Sequence, residues 1–339
     1  MSIIAQRIGI CGDLHLDDRQ VGRHKNYYAN CVDICEKITN VIKEKELTHL
    51  ILLGDLFGNT QHIVQKQSAR IHFTEYFVKW NQMLNGNVYS VIGNHDKGAY
   101  ATDFELLVTT GLVKIPRELD VGAYRIHFLN YGESNRALNM AQDKENVVVA
   151  HEYFTIEGQT TYIKARGGLE LSDMLNLKGV SLVVCGHIHN PSKIYLNTRI
   201  DGTPIYLYYP GCLTRPSKER DLWDVANILV MTSMVDNENP NNTEVSEESV
   251  DVALAAQDEV FLDTPALNAV DVDVLECTNV EVLGDILRNL QEYNITVQGG
   301  YKEQIHRFGG MDSAATATVL KYVEQAEQYA SQIQGVNPN

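Results

Sequence analysis

The chain has 339 residues, enough for a large core plus a smaller module, and its 44% hydrophobic content is that of a folded globular protein. No window reaches the roughly 18 uninterrupted apolar residues of a membrane helix, no leader pattern precedes the first strand, and six scattered cysteines exclude a disulfide framework, so free thiols in the cytoplasm are expected. The net charge of −16 opposes polyanion binding at first sight, but it is local: residues 221–287 hold 16 Asp and Glu and no Lys or Arg, while residues 1–220 carry 24 basic against 23 acidic residues.

Arg7 to Cys11 (RIGIC) is a short apolar run that reads as a buried strand, and it stops at Gly12-Asp13-Leu14-His15. Lys25 to Lys45 follows with apolar residues at helical spacing (Tyr28, Cys31, Val32, Cys35, Ile38, Val41, Ile42), a stripe suited to packing on a sheet. His49 to Leu53 repeats the strand pattern and stops at Gly54-Asp55. A second helix is predicted over about 64–84, then a strand over Val88 to Ile92 that stops at Gly93-Asn94-His95-Asp96. Thr102 to Thr110 reads as a short helix closed by Gly111, residues 112–131 as strands, and Ser134 to Asp143 as a helix capped by Ser134.

Val147 to Ala150 is a further buried strand ending at His151, and the polar stretch Glu157 to Gly168 suits a mobile loop. Ser181 to Cys185 leads into Gly186-His187-Ile188-His189. A hairpin is predicted around Asp201-Gly202, between Ile194–Arg199 and Ile205–Tyr209. Val225 to Val235 closes the first domain, residues 1–235. The acidic, polar segment 236–250 reads as a linker with a solvated or partner-binding face. A strand-helix-strand module is expected within 251–300, and one amphipathic helix over Met311 to Ile333.

Every strand-end motif supplies Asp, Asn or His and none supplies Cys. These are the oxygen and imidazole donors that first-row divalent ions take. In open α/β structures ligands gather at the carboxyl ends of strands. A lone His or Gly-Asp is ordinarily a surface histidine or a turn, but five such motifs in one order are not coincidence. The seven candidates are Asp13, His15, Asp55, Asn94, His151, His187 and His189. One ion rarely takes more than six such ligands, so seven imply two ions sharing a carboxylate. Two ions about 3.5–4 Å apart are the apparatus of phosphate-ester hydrolysis.

Over residues 7 to 215 this ordered set resembles the calcineurin-like metallophosphoesterase superfamily. Within it the chain most resembles the SbcD-type double-strand-break repair nucleases, including short phage versions. Gly54-Asp55-Leu56-Phe57 follows their second motif, and Tyr208-Tyr209-Pro210-Gly211-Cys212-Leu213-Thr214-Arg215 is similar to their Tyr-Pro-Gly-Ser-x-x-Arg signature. Gly58 stands where nuclease members commonly carry His or Asp, and Cys212 where they carry Ser, a change that conserves size. Phosphoprotein phosphatases of the superfamily usually carry Arg soon after the second and third motifs, and this chain does not.

The resemblance implies an α/β fold, a four-layer α-β-β-α metallophosphoesterase sandwich with a small C-terminal capping module and a terminal helix. It implies that Asp13, His15 and His189 hold one ion, that Asn94, His151 and His187 hold the other, and that Asp55 bridges them. Manganese is the expected metal, with magnesium the alternative. His95 is expected to protonate or hydrogen-bond the leaving oxygen, with Asp96 fixing its tautomer. The implied activity is a DNA nuclease of end processing, repair or recombination. Its expected partners are DNA, an SbcC-type SMC-like ATPase docked on residues 311–333, and a second copy in a homodimer; no DNA-contacting residue is assigned. Two rivals stand beside it: a small-molecule or cyclic-nucleotide phosphoesterase on the same metals, and a non-catalytic adaptor, against which the retention of all seven candidates argues.

Overall fold

Along β1 (Ile3–Cys11) and β2 (His49–Leu52) apolar side chains point both ways. Ile8, Ile10 and Ile51 enter one buried cluster, while Cys11, Leu50 and Leu52 enter another. Strands buried on both faces belong at the centre of a layered α/β structure. The computed structural model describes residues 3–18, 26–58, 67–96, 103–155, 169–170, 174–200, 203–215, 223–236 and 243–261.

Helix α1 (Tyr27–Glu44) connects β1 to its parallel neighbour β2, and α2 (Gln67–Met83) connects β2 to the parallel β3 (Val88–Ser90). The buried face of α1 is Tyr27, Cys31, Ile34, Cys35, Ile38, Val41 and Ile42, spaced three and four apart; α2 adds Phe73, Phe77 and Trp80. A shorter helix, α3 (Asp103–Thr109), buries Phe104 and Leu107 in the same layer. The chain then enters a second sheet through β4 (Glu118–Val121), β5 (Tyr124–Leu129) and β6 (Glu145–His151). A minor two-stranded pair, β7 (Phe154–Thr155) and β8 (Leu169–Glu170), precedes β9 (Val180–Gly186), β10 (Ser192–Ile200) and β11 (Thr203–Tyr209). β12 (Val225–Asp236) and β13 (Thr243–Ala253) return to the first sheet.

The first sheet has the order β13-β12-β1-β2-β3 and the second β10-β11-β9-β6-β5-β4. Their facing surfaces share a core that includes Ile10, Ile51, Leu53, Ile126, Phe128, Val147, Val149, Leu182 and Val184. The helices cover the far side of the first sheet. On the far side of the second, the described residues provide Leu138, Met140 and the 3-10 turn Leu175–Leu177. The whole is the expected α/β sandwich of two mixed sheets with flanking helices. Among the described residues no helix is long and apolar enough to cross a membrane.

Three expectations change. Residues 134–143 form turns and irregular chain, because side-chain amides take over the backbone bonding. Asn176 Nδ2 donates to the carbonyls of Ser134 (2.8 Å) and Arg136 (2.9 Å), and Asn146 brackets Ala141 through both its N–H and C=O. Within the expected linker 236–250, residues 243–250 are strand: β13 begins at Thr243 and pairs antiparallel with β12 from Val235↔Thr243 to Val225↔Ala253, while 237–242 lie outside the described residues. Backbone bonds hold the strand, and its Glu side chains face solvent as edge strands require. The first compact unit therefore runs Met1–Asp263, past the expected boundary at 235, and residues 251–261 belong to it rather than to a capping module. The expected loop at 157–168, the rest of the 251–300 module and the helix at 311–333 lie outside the described residues.

Candidate metal centre

Parallel pairing of β1, β2 and β3, and of β6 and β9, sets the carboxyl ends of these strands side by side. Asp13, Asp55 and Asn94 leave the first sheet there, and His151 and His187 leave the second. The turns that aim them are tight. His15, Asp55 and His187 have φ of 44°, 48° and 79°, so three of the five non-glycine residues with positive φ among the described residues are candidate ligands. At Gly93 an added Cβ would lie 2.1 Å from Asp55 Oδ1, so only glycine lets that carboxylate occupy its place.

All seven candidate side chains converge, and the distances fall into two groups. His15 Nε2 faces His189 Nε2 at 3.2 Å, and His189 Nε2 is 4.0 Å from Asp13 Oδ2. Asn94 Oδ1 lies 2.9 Å from His151 Nε2 and 2.8 Å from His187 Nδ1, which are 3.2 Å from each other. Asp55 Oδ2 stands between the groups, 3.8 Å from His15 Nε2 and 3.3 Å from His151 Nε2. Asp13 also accepts the His187 backbone N–H on both oxygens, at 3.1 and 2.9 Å, tying the two sheets together at the site.

This donor set fits divalent ions. His151 Nδ1 faces the Leu53 carbonyl at 2.6 Å and so carries its proton there, which directs the Nε2 lone pair at Asn94 Oδ1 and Asp55 Oδ2. Acceptors with few donors among them converge at separations of about 3 Å, the spacing of neighbouring ligands on an octahedral ion with bonds of roughly 2.1 Å. Burial and the charge of His151 push His187 down to about 3, and burial above all holds His15 well below its ordinary value, leaving both as neutral imidazoles with a free lone pair. Burial opposes a charge on His151, yet Asp55 and Asp13 raise it to about 9 in the metal-free chain. Burial likewise opposes charge on Asp55, and the bond to His151 nevertheless holds it below the usual carboxylate range. A proton thus occupies the place a cation would fill.

His95 and Asp96 part company. The His95 ring is 39% exposed at the mouth, edge-on to His15 with centroids 5.1 Å apart and Nε2 4.0 Å from Asp55 Oδ2. The Asp96 carboxylate instead faces inward and accepts three backbone N–H groups, from Asp55 (2.8 Å), Leu56 (3.0 Å) and Gly93 (2.8 Å). Burial and the neighbouring Asp55 charge push it up to about 7. Asp96 braces the second and third motif loops against each other, in place of the expected partnership with the His95 ring.

Sequence reading missed several neighbours. Tyr153 and Tyr131 stand beside His187, with centroids at 4.3 and 5.7 Å, and Trp223 beside His189 at 6.5 Å. The Leu53 carbonyl, which sets the His151 tautomer, has no sequence signal because every residue has one. Cys212 lies against His15 and His189, and its one signal is the departure from Ser. Arg215 of the Tyr-Pro-Gly signature is fully buried, donates to the Ala255 carbonyl and pairs with Asp224, so it holds the loop rather than reaching the mouth.

The sequence pattern of the calcineurin-like phosphoesterases matches residues 6–191. No curated protein matches the chain. Solved structures similar to it include a putative 5'-nucleotidase from Staphylococcus aureus in complex with alpha-ketoglutarate, at 11% identity and TM-score 0.42, covering 75% of this chain and 55% of its own. The protein TT1561 of Thermus thermophilus is similar at 12% identity and TM-score 0.39, over 72% of this chain and 99% of its own. A dimetal phosphatase from Danio rerio is similar at 10% identity and TM-score 0.43, over 74% and 99%. This chain thus spans about half the length of the first of these.

Proposed function

Because the chain belongs to the calcineurin-like phosphoesterase family, matched over residues 6–191, we propose that it is a dimetal DNA nuclease that hydrolyses phosphodiester bonds at DNA ends. The observation that carries this reading is the convergence of seven oxygen and imidazole acceptors in two groups with the buried carboxylate of Asp55 between them, and the exposed His95 imidazole at their mouth. Asp13, His15 and His189 would hold one ion, Asn94, His151 and His187 the other, and Asp55 both. Such a pair supplies a nucleophile at neutral pH and neutralises the phosphoryl group.

The protein's own groups do the rest. His95 is free to approach a bound ester and give a proton or hydrogen bond to the departing oxygen. Asp96 keeps the Asp55 and Gly93 loops at fixed separation through the amides it accepts. Tyr131 and Tyr153 line the same mouth with aromatic surface, on which a base can stack. Manganese, with magnesium as alternative, is the proposed metal. An SbcC-type SMC-like ATPase docked on residues 311–333, in an assembly built on a homodimer, is the proposed partner.

A second reading, hydrolysis of a small-molecule phosphoester, draws on the net charge of −16, which disfavours a duplex. Full-length protein with manganese should be assayed on linear duplex DNA, single-stranded circular DNA and nucleoside monophosphates, across salt, with Asp55→Asn as the control. Cleavage of DNA that weakens as salt rises and vanishes in the variant supports the nuclease. Release of phosphate from monoesters alone would replace it with the second reading.

A further inference from the structure

The Tyr-Pro-Gly turn delivers a sulfur atom to the metal centre. Cys212 Sγ and the ring nitrogens of His15 and His189 all lie within 4.8 Å of one another. Around a tetrahedral zinc, bonds of about 2.3 Å to sulfur and 2.0–2.1 Å to nitrogen set the two atoms roughly 3.5 Å apart, so a shift of about 1 Å or less closes the set.

The thiol is held there by the backbone of both ligand loops. Cys212 N donates to the His189 carbonyl at 2.9 Å, and Leu213 N to the Asp13 carbonyl at 3.1 Å. Thr214 Oγ1 donates to the Leu14 carbonyl at 2.8 Å, and Tyr27 OH to the His15 carbonyl at 2.9 Å. Gly211 packs so closely on Gly12 that an added Cβ at Gly12 would meet the Gly211 carbonyl oxygen at 2.1 Å. Cys212 is fully buried, and its Sγ donates to the Asp13 carbonyl at 3.3 Å. A serine hydroxyl would make that hydrogen bond as well. What sulfur adds is a soft donor beside two imidazoles.

We propose that Cys212 coordinates the ion held by Asp13, His15 and His189, and that it biases this half of the pair toward zinc while the half held by Asn94, His151 and His187 keeps its preference. Sulfur binds as the thiolate, its proton leaves to solvent, and the hydrogen bond to the Asp13 carbonyl is given up. This inference rests on the two-ion reading above.

The test uses the full chain loaded with zinc, and separately with cobalt(II), and reads metal content and spectra rather than turnover. X-ray absorption of the zinc form should show one sulfur neighbour at about 2.3 Å shared over two ions. The cobalt form should show a sulfur-to-cobalt charge-transfer band in the near ultraviolet. Cys212→Ser and Cys212→Ala should lose the sulfur neighbour and the band, keep the second ion, and weaken zinc at the first by roughly 10–100-fold, at least the effect of losing an outer-shell partner. Two bound ions with only nitrogen and oxygen neighbours in the unmodified protein would overturn the role of Cys212 and leave the two-ion reading intact. A sulfur signal that survives in both variants would also overturn it. Fewer than two bound ions would overturn the two-ion reading, and the absence of any sulfur neighbour in that case would overturn both. The spectra of the unmodified chain decide the matter even if neither variant folds.

Discussion

His95 and Asp96 are adjacent in sequence and opposite in role, and each carries an expectation. His95→Ala should leave metal content unchanged, read by elemental analysis, while turnover falls by about 10²–10⁴, the usual worth of a positioned acid; a parallel loss of metal would make it a ligand. Asp96→Asn presents one acceptor oxygen and an N–H₂ group to three amides that now share a carboxylate. One buried amide is left unsatisfied, so urea unfolding of the metal-free protein should show a loss of about 1–3 kcal/mol. The seven candidate ligands were legible because each stands at the end of an apolar run and carries a donor that has no business in a core. Asp96 was not, since nothing in Asn-His-Asp tells whether a carboxylate turns to the imidazole beside it or to amides some 40 residues away. Cys212 was legible only as a departure from pattern, because its neighbours are brought to it by the fold.

Strands whose side chains are apolar on both faces, and helices with a clear stripe, were legible to within a few residues: α1 and α2 lie inside their expected ranges. The failures came where side chains and backbone disagree. β13 has the composition of a solvated tether and the hydrogen bonding of a strand, because an edge strand can be acidic without losing its ladder. Residues 134–143 carry helix-compatible spacing, but the side chains of Asn146, just beyond the segment, and of Asn176, 40 residues from Arg136, claim their backbone. The sheets also hold two imidazoles away from the metal centre, His49 half-buried and His127 buried. Burial pushes His49 in β2 down to about 4 from 6.5, and pushes His127 in β5 down as well. At these two groups the unfolded chain therefore binds more protons than the fold, between about pH 6.5 and 4 for His49, and their contribution to stability is lost as the pH drops through that window. In metal-free protein, His49→Gln should flatten this part of the stability profile relative to the unmodified chain, as read by urea midpoints at each pH. An unchanged slope would mean that His49 is protonated in the fold.

The first unit has its own cores and its own complete set of candidate ligands, so the fragment 1–263 is expected to unfold in one cooperative transition and to bind two ions. Chelation should lower its melting temperature: free ion at 100 times its dissociation constant stabilises by about 2.7 kcal/mol, or roughly 5–10 °C for a domain of this size. No shift on chelation would argue against the centre. The ligands come from both sheets: Asp13, His15, Asp55 and Asn94 from one, His151, His187 and His189 from the other. The layer between them, with Leu53, Val149 and Val184 near the strand ends and Ile126 and Val147 deeper, acts as a spacer that sets the gap the ions must span. A change of volume there is a change of spacing, felt at atoms it never touches. Val147→Ala should therefore weaken ion binding as well as stability, even though all seven ligands are intact. Selection on the hydrophobic interior and selection on the chemistry of the rim are, in this architecture, the same constraint.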